Sequence, residues 1–126
     1  KKLMNHINTT QDEIGMLCLH QANKQIIQAV GTEAGFDLEK VPYTAFENYG
    51  NNTMCSIPTT IACLDKDVNK NKLLCCGFGN GLISASSVLN LEHTYISAIR
   101  NFRKPEYVKT REEYINYWRN KITGII

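Results

Sequence analysis

The chain has 126 residues, 43% of them hydrophobic, and its 14 Lys and Arg against 12 Asp and Glu leave a net charge of +2. That length suits one domain with apolar material enough for a core, and charges of both signs mixed along the sequence exclude the one-sided basic patch that a nucleic-acid partner needs. The longest apolar runs, around Ile14–Leu19 and Leu73–Gly81, fall short of the roughly twenty residues of a membrane span, and an opening Lys1-Lys2 without initiator Met or signal-peptide run predicts that the natural chain starts further upstream.

Leu3 to Ile7 reads as the tail of a helix, broken by Asn8-Thr9-Thr10. Ile14–Leu19 is a short apolar run of the kind that forms a fully buried strand, and it leads straight into His20. From Gln21 the apolar positions Ala22, Ile26, Ile27, Ala29, Val30 and Ala34 follow a helical stripe that stops at Gly35, a C-cap residue. The alternation in Val41–Phe46 predicts a second strand, and 47–53 is rich in loop formers. Ser56-Ile57-Pro58 opens a helix running to about Lys66, with Ile57, Ile61, Ala62 and Leu64 on its apolar side. After the polar linker 65–72, the runs 72–78 and 82–89, joined by Gly79-Asn80-Gly81, predict adjacent antiparallel strands. Strands alternating with helices predict an α/β layered core whose mostly parallel sheet ends in one antiparallel strand.

Beyond Leu91 the composition turns aromatic and basic. Tyr95, Ile96, Ile99 and Phe102 line one predicted helix, Pro105 breaks it, and Tyr114, Ile115, Tyr117, Trp118 and Ile122 line another. A coat over the sheet, a subunit contact and a binding arm all fit this tail, and the coat is preferred.

Cys18, Cys55, Cys63, Cys75 and Cys76 form an odd set lying in apolar stretches, which suits a reducing, cytoplasmic setting and buried thiols. No spacing is C-x-x-C, neighbours Cys75 and Cys76 on a strand point to opposite faces, and the three histidines have no carboxylate beside them, so no metal site is expected. Gly77-x-Gly79-x-Gly81 has the wrong third spacing for a dinucleotide fingerprint and joins strand to strand. The sequons Asn8-Thr9-Thr10 and Asn51-Asn52-Thr53 are discounted because the cysteine usage argues against a secretory route.

Three motifs stand in order: His20-Gln21-Ala22-Asn23 at a strand-to-helix turn, Tyr49-Gly50-Asn51-Asn52-Thr53-Met54-Cys55-Ser56-Ile57-Pro58, and Gly77-Phe78-Gly79-Asn80-Gly81-Leu82. A lone His at such a turn is more often structural than catalytic, and the glycine motif alone fits a tight turn equally well. Together the three resemble the second half of β-ketoacyl-acyl-carrier-protein synthase III, a thiolase-fold condensing enzyme, from about Ile14 to Leu89. The resemblance implies a thiolase-like layered α/β fold, with residues 1–90 as part of the C-terminal repeat and 91–126 as a helical extension.

It further implies that His20 and Asn51 are the catalytic pair, donating hydrogen bonds to the enolate oxygen formed when a malonyl thioester loses CO₂. Ala22 and Asn23 resemble positions that contact the pantetheine arm, Phe78 a residue of the same entrance, and Gly79 and Asn80 lie near a backbone N–H that binds the thioester oxygen. No resident cofactor is implied: coenzyme A or phosphopantetheine thioesters are substrates. Acyl carrier protein, acyl-CoA and a second copy of the complete enzyme are the implied partners.

Two departures matter. Ile83-Ser84-Ala85 stands where the family has Thr-Trp-Gly, and the tail after Leu89 is additional. The family's nucleophilic Cys belongs to the first half of the fold, at a buried helix start, and none of the five cysteines has that setting, so this chain alone is expected not to condense. The sheet is also expected to have an uncovered edge. The rival readings are a non-catalytic half-thiolase module that binds an acyl carrier or a catalytic partner subunit, and a plain α/β domain with accidental motifs.

Overall fold

The computed structural model describes residues 2–79, 81, 83–100 and 109–123. Helix α1 (Lys2–His6) buries Met4 and ends in a reversal at Asn8, whose φ of 50° is one that Asn tolerates better than most residues. The following loop is fastened by Lys40, whose Nζ donates to the carbonyls of Gln11, Asp12 and Ile14 at 3.2, 3.3 and 3.0 Å. Glu13 accepts from the Thr10 N–H at 2.9 Å and pairs with Lys72 at 2.9 Å.

Strand β1 (Met16–Leu19) leads to helix α2 (Lys24–Ala34), which begins and ends at clear signals. The Asn23 side chain accepts from the Ile26 N–H at 2.8 Å, and Gly35, at φ 86°, lets the Gly35 and Phe36 N–H groups close back on Thr32 and Gly31. Gly31 is packed against Val41: a Cβ there would come within 2.7 Å of the valine Cγ2.

Val41–Phe46 is not a strand. Val41 is buried against α2, Pro42 has no N–H to give a ladder, and from Thr44 the chain forms helix α3 (Thr44–Tyr49), which Gly50 closes by donating to the Phe46 carbonyl at 2.8 Å. The alternation of Val41, Tyr43 and Ala45 fitted a strand but spans too few residues to tell one from a half-buried turn of helix. A 3₁₀ turn (Thr53–Cys55) runs into helix α4 (Ser56–Ala62), one turn shorter than the sequence suggested.

Strands β2 (Leu73–Gly79) and β3 (Ile83–Leu89) complete a three-stranded sheet in the order β1-β2-β3. β1 and β2 are parallel, with Met16 opposite Leu73 and Leu19 opposite Cys76, while β2 and β3 are antiparallel, with Leu73 opposite Leu89 and Gly79 opposite Ile83. Alternation along the strands builds two cores. Leu17, Leu19 and Leu74 face Ile27, Val41, Phe36, Ile14 and Met4; Cys18, Leu73 and Cys75 face Ile57, Ile61 and Leu64 of the α4 side. The sheet is thus sandwiched between helices, the layered α/β arrangement expected.

The tail differs from its expectation. Residues 94–100 have no helix, and Phe102 and Pro105 lie outside the described residues. Helix α5 (Arg111–Thr123) is present, but it buries no residue, so it is not a coat over the sheet. Among the described residues, no helix is long and apolar enough to cross a membrane.

Candidate active site

β1 ends at Leu19, but its ladder continues one step: the His20 N–H donates to the Cys76 carbonyl at 2.9 Å. The Ala22 N–H then turns back onto the His20 carbonyl at 3.0 Å, and Asn23 caps α2. His20 is therefore held by the sheet on one side and a capped helix on the other. Its ring meets Phe78 edge-on, with centroids 5.4 Å apart and planes at 88°. Among the described residues no side chain bonds its ring nitrogens, which leaves them for a ligand.

Asn51 arrives by a different route, as the residue after Gly50 has ended α3. Gly50 adopts φ 67° and ψ −161°, a conformation closed in practice to residues with a Cβ. The Asn51 side-chain oxygen accepts from the Thr53 N–H at 3.1 Å. With that oxygen occupied, the amide NH₂ is the end left to donate. Thr53 itself sits at φ 53°, an uncommon value for a β-branched residue, and so belongs to a locally constrained turn.

His20 and Asn51 line one cavity of about 520 Å³, open to solvent, together with Thr53, Met54, Ile57, Gly77, Phe78 and Gly79. Of the sequence candidates, the fold brings His20, Asn51, Phe78 and Gly79 together. Ala22 and Asn23 lie outside this lining, and the Asn23 oxygen is engaged as the cap of α2. Asn80 lies outside the described residues. Thr53, Met54, Ile57 and Gly77 were not singled out, although all four lie within the second and third motifs.

The cavity brings an imidazole and a carboxamide, carried by separate elements, to one lining beside the Phe78 ring. No cysteine lines it among the described residues. Cys18 and Cys75 stand side by side across the parallel pair, and the Cys75 thiol together with burial holds the Cys18 thiol well above the ordinary range, as a protonated core thiol. Burial alone raises Cys63. Among the described residues no group of three or more His, Cys, Asp and Glu could hold a metal ion.

Comparison with known proteins points the same way. The sequence model of the family described as 3-oxoacyl-acyl-carrier-protein synthase III, C terminal, matches residues 4–91. The beta-ketoacyl-acyl-carrier-protein synthase III of Porphyra umbilicalis is 36% identical over 95 residues, covering 71% of this chain and 28% of that protein. The proteins of that name from Prochlorococcus marinus and Synechocystis are 36% and 34% identical over 85 and 95 residues, covering 65% and 71% of this chain and 25% and 28% of their own lengths. The chain therefore spans little more than a quarter of the curated relatives it matches.

Proposed function

The chain belongs to the 3-oxoacyl-acyl-carrier-protein synthase III C-terminal family, and from that premise we propose that it supplies the enolate-stabilising half of a condensing site for decarboxylative Claisen condensation in fatty-acid or related acyl synthesis. The observation that carries the reading is that His20 and Asn51, on separate elements and 31 residues apart in sequence, line one cavity.

In the proposed reaction the malonyl thioester breaks its carbon–carbon bond to the carboxylate, CO₂ departs, and the electron pair passes into an enolate. The charge collects on the thioester oxygen, where a His20 ring N–H and an Asn51 amide N–H would donate to it. Both donors are fixed before the charge develops, which is the arrangement that lowers a barrier most. The enolate carbon then attacks an acyl group carried as a thioester on a cysteine, forming the new carbon–carbon bond and releasing the cysteine as thiolate. We place that cysteine outside these 126 residues, and the chain by itself is then inactive in condensation. Acyl-CoA or acyl carrier protein would deliver the acyl group and a malonyl thioester the extender; Ala22, Asn23 and Phe78 would border the pantetheine entrance, and Gly79 would lie near the backbone N–H that binds the thioester oxygen. A homodimer of the complete enzyme and a cytoplasmic setting belong to the same proposal.

Malonyl-thioester decarboxylation by the native polypeptide that contains these residues tests it. His20→Ala and Asn51→Ala should each lower the rate about 100- to 1,000-fold, the effect of losing one oxyanion donor. Two variants with unaltered rates would return the motifs to accident. One observation favours the non-catalytic module instead: α5 exposes Tyr114, Ile115, Trp118 and Ile122 as an uncovered contact surface. That reading requires no decarboxylation by the wild-type native polypeptide and stable capture of an acyl carrier or a catalytic subunit.

A further inference from the structure

Gln21 lies between the histidine and the helix cap yet is fully buried, and its side chain is bonded at both ends. Nε2 donates to the Leu19 carbonyl at 3.0 Å and to the Pro42 carbonyl at 3.3 Å, and Oε1 accepts from the Phe46 N–H at 3.0 Å. A buried amide is retained where each of its polar ends has a partner. Here those partners belong to the two segments that deliver the cavity donors. Leu19 and Gln21 flank His20, while Phe46 lies in α3, where its carbonyl accepts from Gly50 at 2.8 Å immediately before Asn51. One peptide link and two hydrogen bonds thus join the His20 turn to the Gly50–Asn51 corner through the interior.

We infer that Gln21 is a positioning residue: its amide fixes the spacing between His20 and Asn51, so that both can donate to one oxygen. The inference rests on the role proposed above for that pair. Side-chain chemistry narrows the choice. Asn is one methylene shorter, Glu has no NH₂ with which to bridge two carbonyls, and Met keeps the shape but makes none of the three bonds. The Phe46 N–H also donates to the Tyr43 carbonyl at 2.9 Å, so losing Oε1 does not orphan it and α3 can still form. The consequence of substitution falls on where α3 sits relative to β1.

The test is Gln21→Met in the native polypeptide, followed by malonyl-thioester decarboxylation and by the crystal structure of the variant. The expected result is a kcat lower on the order of 100-fold with KM nearly unchanged, since a misplacement of about 1 Å costs that much, and an altered distance between His20 and Asn51. A folded variant with wild-type kcat overturns the inference, as does a loss confined to KM. Should Gln21→Met fail to fold, Gln21→Asn, which keeps the amide but is one methylene too short to hold all three partners, gives the same kcat-against-KM comparison with a smaller loss. If the wild-type polypeptide decarboxylates nothing, the proposed function fails on its own, and the crystal structure still decides about Gln21: an unchanged distance overturns the positioning role and a changed one sustains it.

Discussion

Helices α2 and α5 are alike in length, 11 and 13 residues, and each carries an apolar stripe beside polar residues, yet they stand in opposite relation to the rest of the chain. α2 buries Ile27 completely, brings Gly31 against Val41, and is closed by Asn23 at one end and Gly35 at the other. α5 buries nothing: Trp118 is 53% exposed and Ile122 58%. The contacts that hold α5 among the described residues are local. Thr110 and Glu113 form a reciprocal capping box, with the Thr110 N–H donating to Glu113 at 2.6 Å and the Glu113 N–H to the threonine hydroxyl at 3.3 Å, and Lys109 and Lys121 lie over Tyr117 and Trp118 at 4.1 and 5.3 Å from the ring centroids. A helix of this length with local interactions alone is marginal in water. An apolar stripe therefore shows that a surface can be covered without showing what covers it.

Substitutions sharpen that contrast. Ile27→Ala should cost the body about 2–5 kcal/mol, as truncation of a fully buried aliphatic side chain does, while Trp118→Ala should leave global stability within about 0.5 kcal/mol. Denaturant midpoints measured on both variants check the pair, and equal losses would mean that α5 is docked on the body. A step smaller, Asn23→Ala removes the α2 cap and should cost about 1 kcal/mol of global stability, whereas Thr110→Ala should speed amide exchange within α5 and leave the midpoint unmoved.

The smallest effect is electrostatic and belongs to the loop before β1. The Thr10 N–H and the Lys72 ammonium hold the Glu13 carboxyl below its ordinary 4.5, at about 2. A depressed folded-state value means that the contribution is complete above the ordinary carboxyl range and is lost as pH falls from about 4.5 toward about 2. Glu13→Gln should flatten that part of the melting-temperature profile; because the group is exposed the change is small, and a profile identical to wild type would remove the pair from the account.

Much of the body was legible because its signals are local. Gly35 ended α2 where the stripe stopped, the Gly-Asn-Gly connection joined antiparallel strands, and Leu17, Leu19 and Leu74 alternated with Cys18 and Cys75 as strands between two helical layers must. Val41–Phe46 misled for the opposite reason: six residues cannot separate period two from period 3.6, and the deciding facts, the contact of Gly31 with Val41 and the bond from Phe46 to Gln21, are made with distant chain. Likewise Tyr95, Ile96 and Ile99 resembled a helical stripe, but 94–100 forms no helix.

The site divides in the same way. The sequence by itself determined the residue types and their order: a His at a strand end, an Asn directly after a glycine, and a glycine-rich strand connection, enough to name the family. Tertiary structure decided that His20, Asn51 and Phe78 share a cavity, that Thr53, Met54 and Ile57 complete its wall, and that a buried glutamine bonds the two donor-bearing segments together. The physical reason is separation: caps, turns and strand alternation are settled between residues a few positions apart, whereas a cavity and a buried hydrogen bond exist only once segments 25 to 58 residues apart in the chain have been packed against each other.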